Sequence, residues 1–226
     1  RERRRLMARM RDAGVHLHQS HPHTGWNGPG VYAPAAASPE GHGETIDTTM
    51  ARLLDVDPDG YFVARLSTTP PWTWMARHRD QMEVVAGATD LHRQVSWASD
   101  LWLADAGQAL AAFIRYCEAQ PWADHMAAYH FDGPSGEWCP RAAMIGQYTD
   151  FSRPMQEWFQ TWLRRRYGDD EQALRAAWND RDATFATATV PSAALQGQTT
   201  FFRFRDPRRE GQTIDYFRAV RDRALH

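Results

Sequence analysis

The run "GYFVARLSTTPP", residues 60–71, decides the fold. Its first seven residues are rich in aromatic and aliphatic side chains around one arginine. The turn-forming "DPDG" (57–60) precedes it and two prolines close it, so it reads as a short buried strand. Upstream, Ile46, Met50, Leu53 and Leu54 recur at helical spacing, with Asp47 or Thr48 near the cap. Before them lie a long irregular stretch (20–45), a short strand "VHLHQ" (15–19), and a helix over residues 1–13 that Gly14 ends.

Downstream, Leu110, Phe113, Ile114 and Cys117 mark one face of a helix, and "HMAAYHF" (125–131) reads as the next strand. The clearest helix opens at Pro154, carries Met155, Trp158, Phe159, Trp162 and Leu163 as an apolar stripe, and stops at Gly168. A shorter helix with Leu174, Ala177 and Trp178 starts behind Asp169 and Asp170. After about residue 183 the pattern loosens until "TIDYFRAVRDRAL" (213–225) supplies a last helix.

Strands alternating with helices imply parallel pairing and right-handed crossovers, hence an α/β barrel or a doubly wound sheet. The long irregular segments all follow the C-terminal ends of strands, where barrels build their sites. No glycine-rich dinucleotide or P-loop signature appears, so the barrel is the expected fold.

Composition narrows the function. The 226 residues are 42% hydrophobic and 24% charged with a net charge of −2, which suits one globular domain and argues against a general phosphate-binding surface. The clusters "RERRR", "RRR" and "RDPRR" read as solvated helix faces or ends. No apolar run approaches the roughly 20 residues of a membrane span. Cys117 and Cys139 have no metal-ligand spacing and are expected to be free thiols. An initial Arg1 rather than methionine suggests processing or excision from something longer. Ten tryptophans, several in polar or Pro/Gly-rich settings such as "TGWNGPG" and "PPWTWM", suit flat ligands such as sugar rings.

Three groups of residues carry candidate chemistry. Glu137 lies in "DGPSGEW", where Gly133 and Gly136 let the backbone approach a ligand and Trp138 offers an apolar wall, a setting that raises a carboxyl pKa toward general-acid use. His16 and His18 form an HxH pair on one side of a strand, the way metal-dependent barrel hydrolases begin a metal site, or else line a sugar pocket. Arg65 points away from Ala64 and Leu66 and either faces a pocket with an acidic companion or packs in an ion pair. Trp72 and Trp74 follow the same strand as sugar platforms or as packing.

Taken together, "YFVARLSTTPPWTWMARHRD", "SWASDLW", "GEW" and "MQEWFQTWLRRRYGDDEQALRAAWND" resemble the β-galactosidase-like glycoside hydrolases close to family forty-two, in the clan of retaining (β/α)8-barrel enzymes. The resemblance spans about residues 14–220 and is most specific in "FQTWLRRRYGDDEQALRAAW". It implies that residues 1–226 are the N-terminal part of a single (β/α)8-barrel (TIM barrel) catalytic domain, the visible strands being the second, third and fourth. It places Glu137 where the family keeps its general acid/base, and implies a carbohydrate substrate, β-galactosides or related terminal sugars. Trp26, Arg65, Asp132 and Trp138 are then the expected sugar contacts. No cofactor, resident metal, nucleic acid or membrane partner is implied.

The sequence departs from the family pattern at Gly136, where the family has an asparagine before the glutamate, and in a longer "DGPSG" loop. No candidate nucleophile appears in residues 1–226, because the family's follows strand seven. Two alternatives accompany this reading: a metal-dependent amidohydrolase-type barrel built on His16 and His18, and a catalytically inactive sugar-binding barrel.

Overall fold

The computed structural model describes residues 2–38, 41, 43–87, 94–133, 148–200 and 204–225. They divide into two compact units, Arg1–Arg77 with Leu103–Glu137 and His78–Trp102 with Trp138–His226.

The first unit is built on a three-stranded parallel sheet of β1 (Leu17–Ser20), β4 (Tyr61–Ser67) and β5 (Met126–Asp132), ordered β1-β4-β5. The three strands legible in the sequence are thus neighbours in chain order. Leu17 aligns with Tyr61, and Arg65 with His130. On β4, Phe62, Ala64 and Leu66 turn to the core while Tyr61, Val63, Arg65 and Ser67 take the other face.

Helix α2 (Ile46–Val56) covers the core face with Ile46, Met50 and Leu53. Its cap is Thr45, whose side chain accepts the Thr48 amide at 3.2 Å; the expected Asp47 and Thr48 lie inside the first turn. Helix α4 (Asp100–Glu118) adds Phe113 and Cys117, and the division between the units falls within it. Burying one such large side chain is worth about 1.5–3 kcal/mol. Helix α1 (Glu2–Asp12) has no buried residue, and its Met7 packs only partly against this core.

The stretch 20–45 is not wholly irregular. It holds a small antiparallel hairpin, β2 (Trp26–Gly28) with β3 (Val31–Tyr32). Strands of three and two residues carry no periodicity to read. Gly25 opens the hairpin at φ 80°, where an added Cβ would sit 2.4 Å from the Ala33 carbonyl carbon. Helix α3 (Trp72–Arg77), also unforeseen, packs beside β2.

The second unit is mainly helical. Ser152 caps α5 (Arg153–Tyr167) by accepting the Met155 amide, Pro154 occupies the first turn, and Gly168 ends it in the left-handed region. Asp170 caps α6 (Glu171–Trp178) through the amides of Gln172 and Ala173. A short α7 (Ala193–Gly197) and a terminal α8 (Gly211–Ala224) complete it. Met155, Phe159, Leu163, Leu174, Phe185 and Tyr216 form its core, with Tyr216 edge-on to Phe159 at 5.6 Å. The segments 82–86 and 148–151 run beside each other, tied by Ala86 N–H to Tyr148 O at 3.0 Å and Phe151 N–H to Val84 O at 2.9 Å. No helix among the described residues is long and apolar enough to cross a membrane.

Candidate active site

The face of the first unit's sheet that carries Arg65 is open, and its register sorts residues by height. Near the N-terminal end lie Leu17 and Tyr61, 53% and 51% exposed, then Val63 opposite Ala128. Toward the C-terminal end the side chains become polar, with Arg65, His130 and Asp132, while Gln19 stands level with Val63. An apolar floor thus lies below a charged rim at the strands' C-terminal ends, the end of a parallel sheet where α/β proteins gather their ligands.

Alternation along β4 and β5 builds the rim. Arg65 donates Nε–H to Asp132 Oδ2 at 2.6 Å, and Asp132 is only 4% exposed. His130 Nε2 stands 3.7 Å from the same carboxylate, and Gln19 reaches His130 Nδ1 at 3.4 Å. The Thr68 hydroxyl donates to the Asp132 main-chain oxygen at 3.0 Å, fixing the end of β5. One carboxylate between a guanidinium and an imidazole gives fixed donors and an acceptor, a set that suits a polyhydroxylated ligand. Arg65 and Asp132, singled out separately in the sequence, are therefore one device. Gln19 and Thr68 carried no signal there.

Trp26 lies on β2, 3% exposed, edge-on to Trp74 at 6.0 Å between ring centroids. Its indole N–H has no hydrogen-bond partner among the described residues. Trp74 is packing, fully buried and donating to Asp105 at 2.6 Å, whereas Trp72 is 54% exposed. Glu137 and Trp138 lie outside the described residues, as does Cys139; Cys117 is a buried free thiol.

The HxH pair sits at the other end of the sheet. His16 and His18 both donate to Asp57, at 2.9 and 2.8 Å, and Asp57 follows α2 at the N-terminal side of β4. Burial pushes the Asp57 carboxyl up, but the bonds from His18 and His16 outweigh it and hold the pKa below the ordinary value. Both imidazoles are thus engaged with one buried carboxylate, and His18, aligned with Phe62, lies on the core face of the sheet, opposite the face that carries Arg65. Among the described residues no cluster of three or more His, Cys, Asp or Glu is placed to hold a metal ion.

An α/β fold with a parallel sheet and a polar rim at the strands' C-terminal ends defines the class. No family model matches the sequence, and no curated protein matches it. Solved structures do match. A β-galactosidase from the psychrophilic Marinomonas ef1 superposes with a TM-score of 0.66 at 16% identity, over 100% of this chain and 32% of that one. A polyextremophilic β-galactosidase from the Antarctic haloarchaeon Halorubrum lacusprofundi gives 0.66 at 19%, over 98% and 30%. A family-forty-two β-galactosidase from G. stearothermophilus, a catalytic mutant, gives 0.61 at 19%, over 97% and 29%. The chain therefore has the fold that these β-galactosidases have over about a third of their length, and the resemblance read from the sequence points to the same group.

Proposed function

We propose that this chain is the N-terminal part of a single (β/α)8-barrel glycoside hydrolase domain, with β1, β4 and β5 as strands two to four, acting on β-galactosides or related terminal sugars with retention. The observation that carries the proposal is the Arg65–Asp132 pair with His130 on the open sheet face at its C-terminal rim, in a chain that matches β-galactosidases from end to end. Glu137, five residues beyond Asp132 in sequence, protonates the leaving oxygen and then deprotonates the attacking water. Its partner, a carboxylate about 5 Å away in a retaining site, comes from another part of the polypeptide. Asp132, oriented by Arg65, accepts from sugar hydroxyls. Trp138 supplies an apolar wall, and Trp26 contributes through its indole N–H rather than an open ring face.

Glu137→Gln in the full-length protein tests this reading. Turnover of an unactivated glycoside should fall about 10²- to 10⁴-fold. An aryl glycoside with a good leaving group should lose less in its first step, and azide should restore part of the lost rate by attacking the glycosyl-enzyme without a base. Parent-like turnover of the unactivated substrate would remove Glu137 from the mechanism. Saccharide binding without turnover in the parent would replace the enzyme by a sugar-binding barrel.

A further inference from the structure

The second unit buries two carboxyl groups that the proposed chemistry does not use. Glu83 is 6% exposed and Asp150 is 4% exposed, and they lie on the two adjoining segments 82–86 and 148–151. Glu83 Oε1 accepts the Thr149 hydroxyl at 2.5 Å. Asp150 Oδ1 accepts the amides of Val84 at 3.0 Å and Ser152 at 2.8 Å, while Oδ2 has no hydrogen-bond partner among the described residues. The seam between the segments is thus fastened partly by the carboxyl groups themselves.

Among the described residues the surroundings offer these groups no counter-charge. Gln94 and Ser96 come from the neighbouring 94–96 segment, and Gln196 of α7 hydrogen-bonds the Thr149 amide. Tyr216 of α8 donates its proton to the Thr149 carbonyl at 2.6 Å, and burial holds its pKa far above the ordinary value. No described arginine, lysine or histidine pairs with Glu83 or Asp150. Two ionised carboxylates in such a place would each lose their hydration and repel each other.

We propose that Glu83 and Asp150 form a proton-held clasp: one proton resides on the pair in the folded protein, and its departure loosens the seam between 82–86 and 148–151. Burial foremost, then the Asp150 charge, pushes Glu83 up to about 7, against the Thr149 hydrogen bond. Burial likewise pushes Asp150 up, against the bonds from Ser96, Val84 and Ser152. The sign follows from linkage. The folded form binds the proton more tightly than the unfolded chain, so the clasp is complete below the ordinary glutamate value of 4.5 and is lost as pH rises through about 7.

Hydrogen exchange at the amides of Val84, Phe151 and Ser152 in the intact protein reads the seam directly. After correction for intrinsic rates, protection should fall about 10- to 100-fold between about pH 5 and about pH 8. Leu53 in α2 of the first unit serves as control and should not follow. Glu83→Gln keeps an acceptor for Thr149 but removes the titration, so its seam protection should be flat and high over that range. A flat parent profile, or an undiminished slope in Glu83→Gln, would overturn the proposal. So would recovery of parent protection at the alkaline end on adding KCl or MgCl2 that fails in Glu83→Gln, which would make the pair a cation site. If the variant does not fold, the infrared carbonyl band of a protonated buried carboxyl in the parent decides: present in acid and gone in alkali supports the clasp, and absent throughout overturns it.

Discussion

In the second unit Phe159, Leu163 and Leu174 are fully buried and Tyr216 is 1% exposed, and helices close over them from several directions. In the first unit Phe62, Ala64 and Leu66 are equally well covered, yet on the opposite face of the same sheet Leu17 and Tyr61 stand half exposed beneath a charged rim. Both units have a well-covered core, and in the first a half-exposed apolar floor also lies on one face of the sheet. The contrast teaches where to look for chemistry, since an open sheet face with polar groups gathered at one end is a place for ligand and for more chain.

The strongest attempt to break this contrast is to produce residues 1–226 alone. With β1 and β5 at the sheet edges among the described residues and the apolar floor uncovered, the chain is expected to self-associate. Sedimentation would show it, and a monomer that unfolds cooperatively would mean that the open face needs no partner. Next in size is Phe159→Ala, which removes the ring packed edge-on to Tyr216 and stacked at 6.3 Å on Trp178. It should cost about 3–5 kcal/mol of the second unit's stability in denaturant unfolding of the intact protein. The first unit's transition should stay in place.

The smallest expected effect sharpens the comparison through pH. Asp57 binds His16 and His18 with its carboxyl held below its ordinary 3.8, so its contribution to the first unit is present above that value and lost as pH falls through the lowered one. Asp57→Asn should cost about 1.5–3 kcal/mol, in the range of hydrogen bonds to a charged group. It should also flatten the acid limb of the first unit's unfolding profile. The units would then weaken at opposite ends of the pH scale, the first toward acid through Asp57 and the second toward alkali through Glu83. An acid limb unchanged by Asp57→Asn would remove that asymmetry.

Periodicity made the long elements legible. The stripe from Met155 to Leu163 found α5, and the β-rich run between "DPDG" and two prolines found β4, each to within a residue or two, because burial recurs on every turn of a helix and turn residues bracket a short strand. The hairpin, α3 and α7 were hidden because elements of two to six residues repeat nothing. Pairing across the sheet was hidden for another reason. Arg65 and Asp132 stand 67 residues apart, and His18 and Asp57 are 39 apart, so only strand register shows which residue types meet. That is why the two histidines left a metal site and a sugar pocket both open in the sequence, whereas both bind the Asp57 carboxylate.

Arg223, 7% exposed in the last turn of α8, donates to the main-chain oxygens of Trp97 and Ala98 and to the Asp100 carboxylate, and lies over the Trp158 ring at 4.8 Å. The carbonyl it holds at Trp97 belongs to a residue 126 positions earlier. On a ribosome adding about 5–20 residues per second, roughly 6–25 s pass between the two being made. The strands of the first unit are all available once Asp132 has emerged, while the Trp97 and Ala98 carbonyls, in a segment already tied to Gln81 through Ser96 and Ser99, must wait for Arg223. Birth order therefore lets the first unit's sheet pair before the Trp97 and Ala98 carbonyls meet their donor, so that this fastening of the second unit comes late in synthesis.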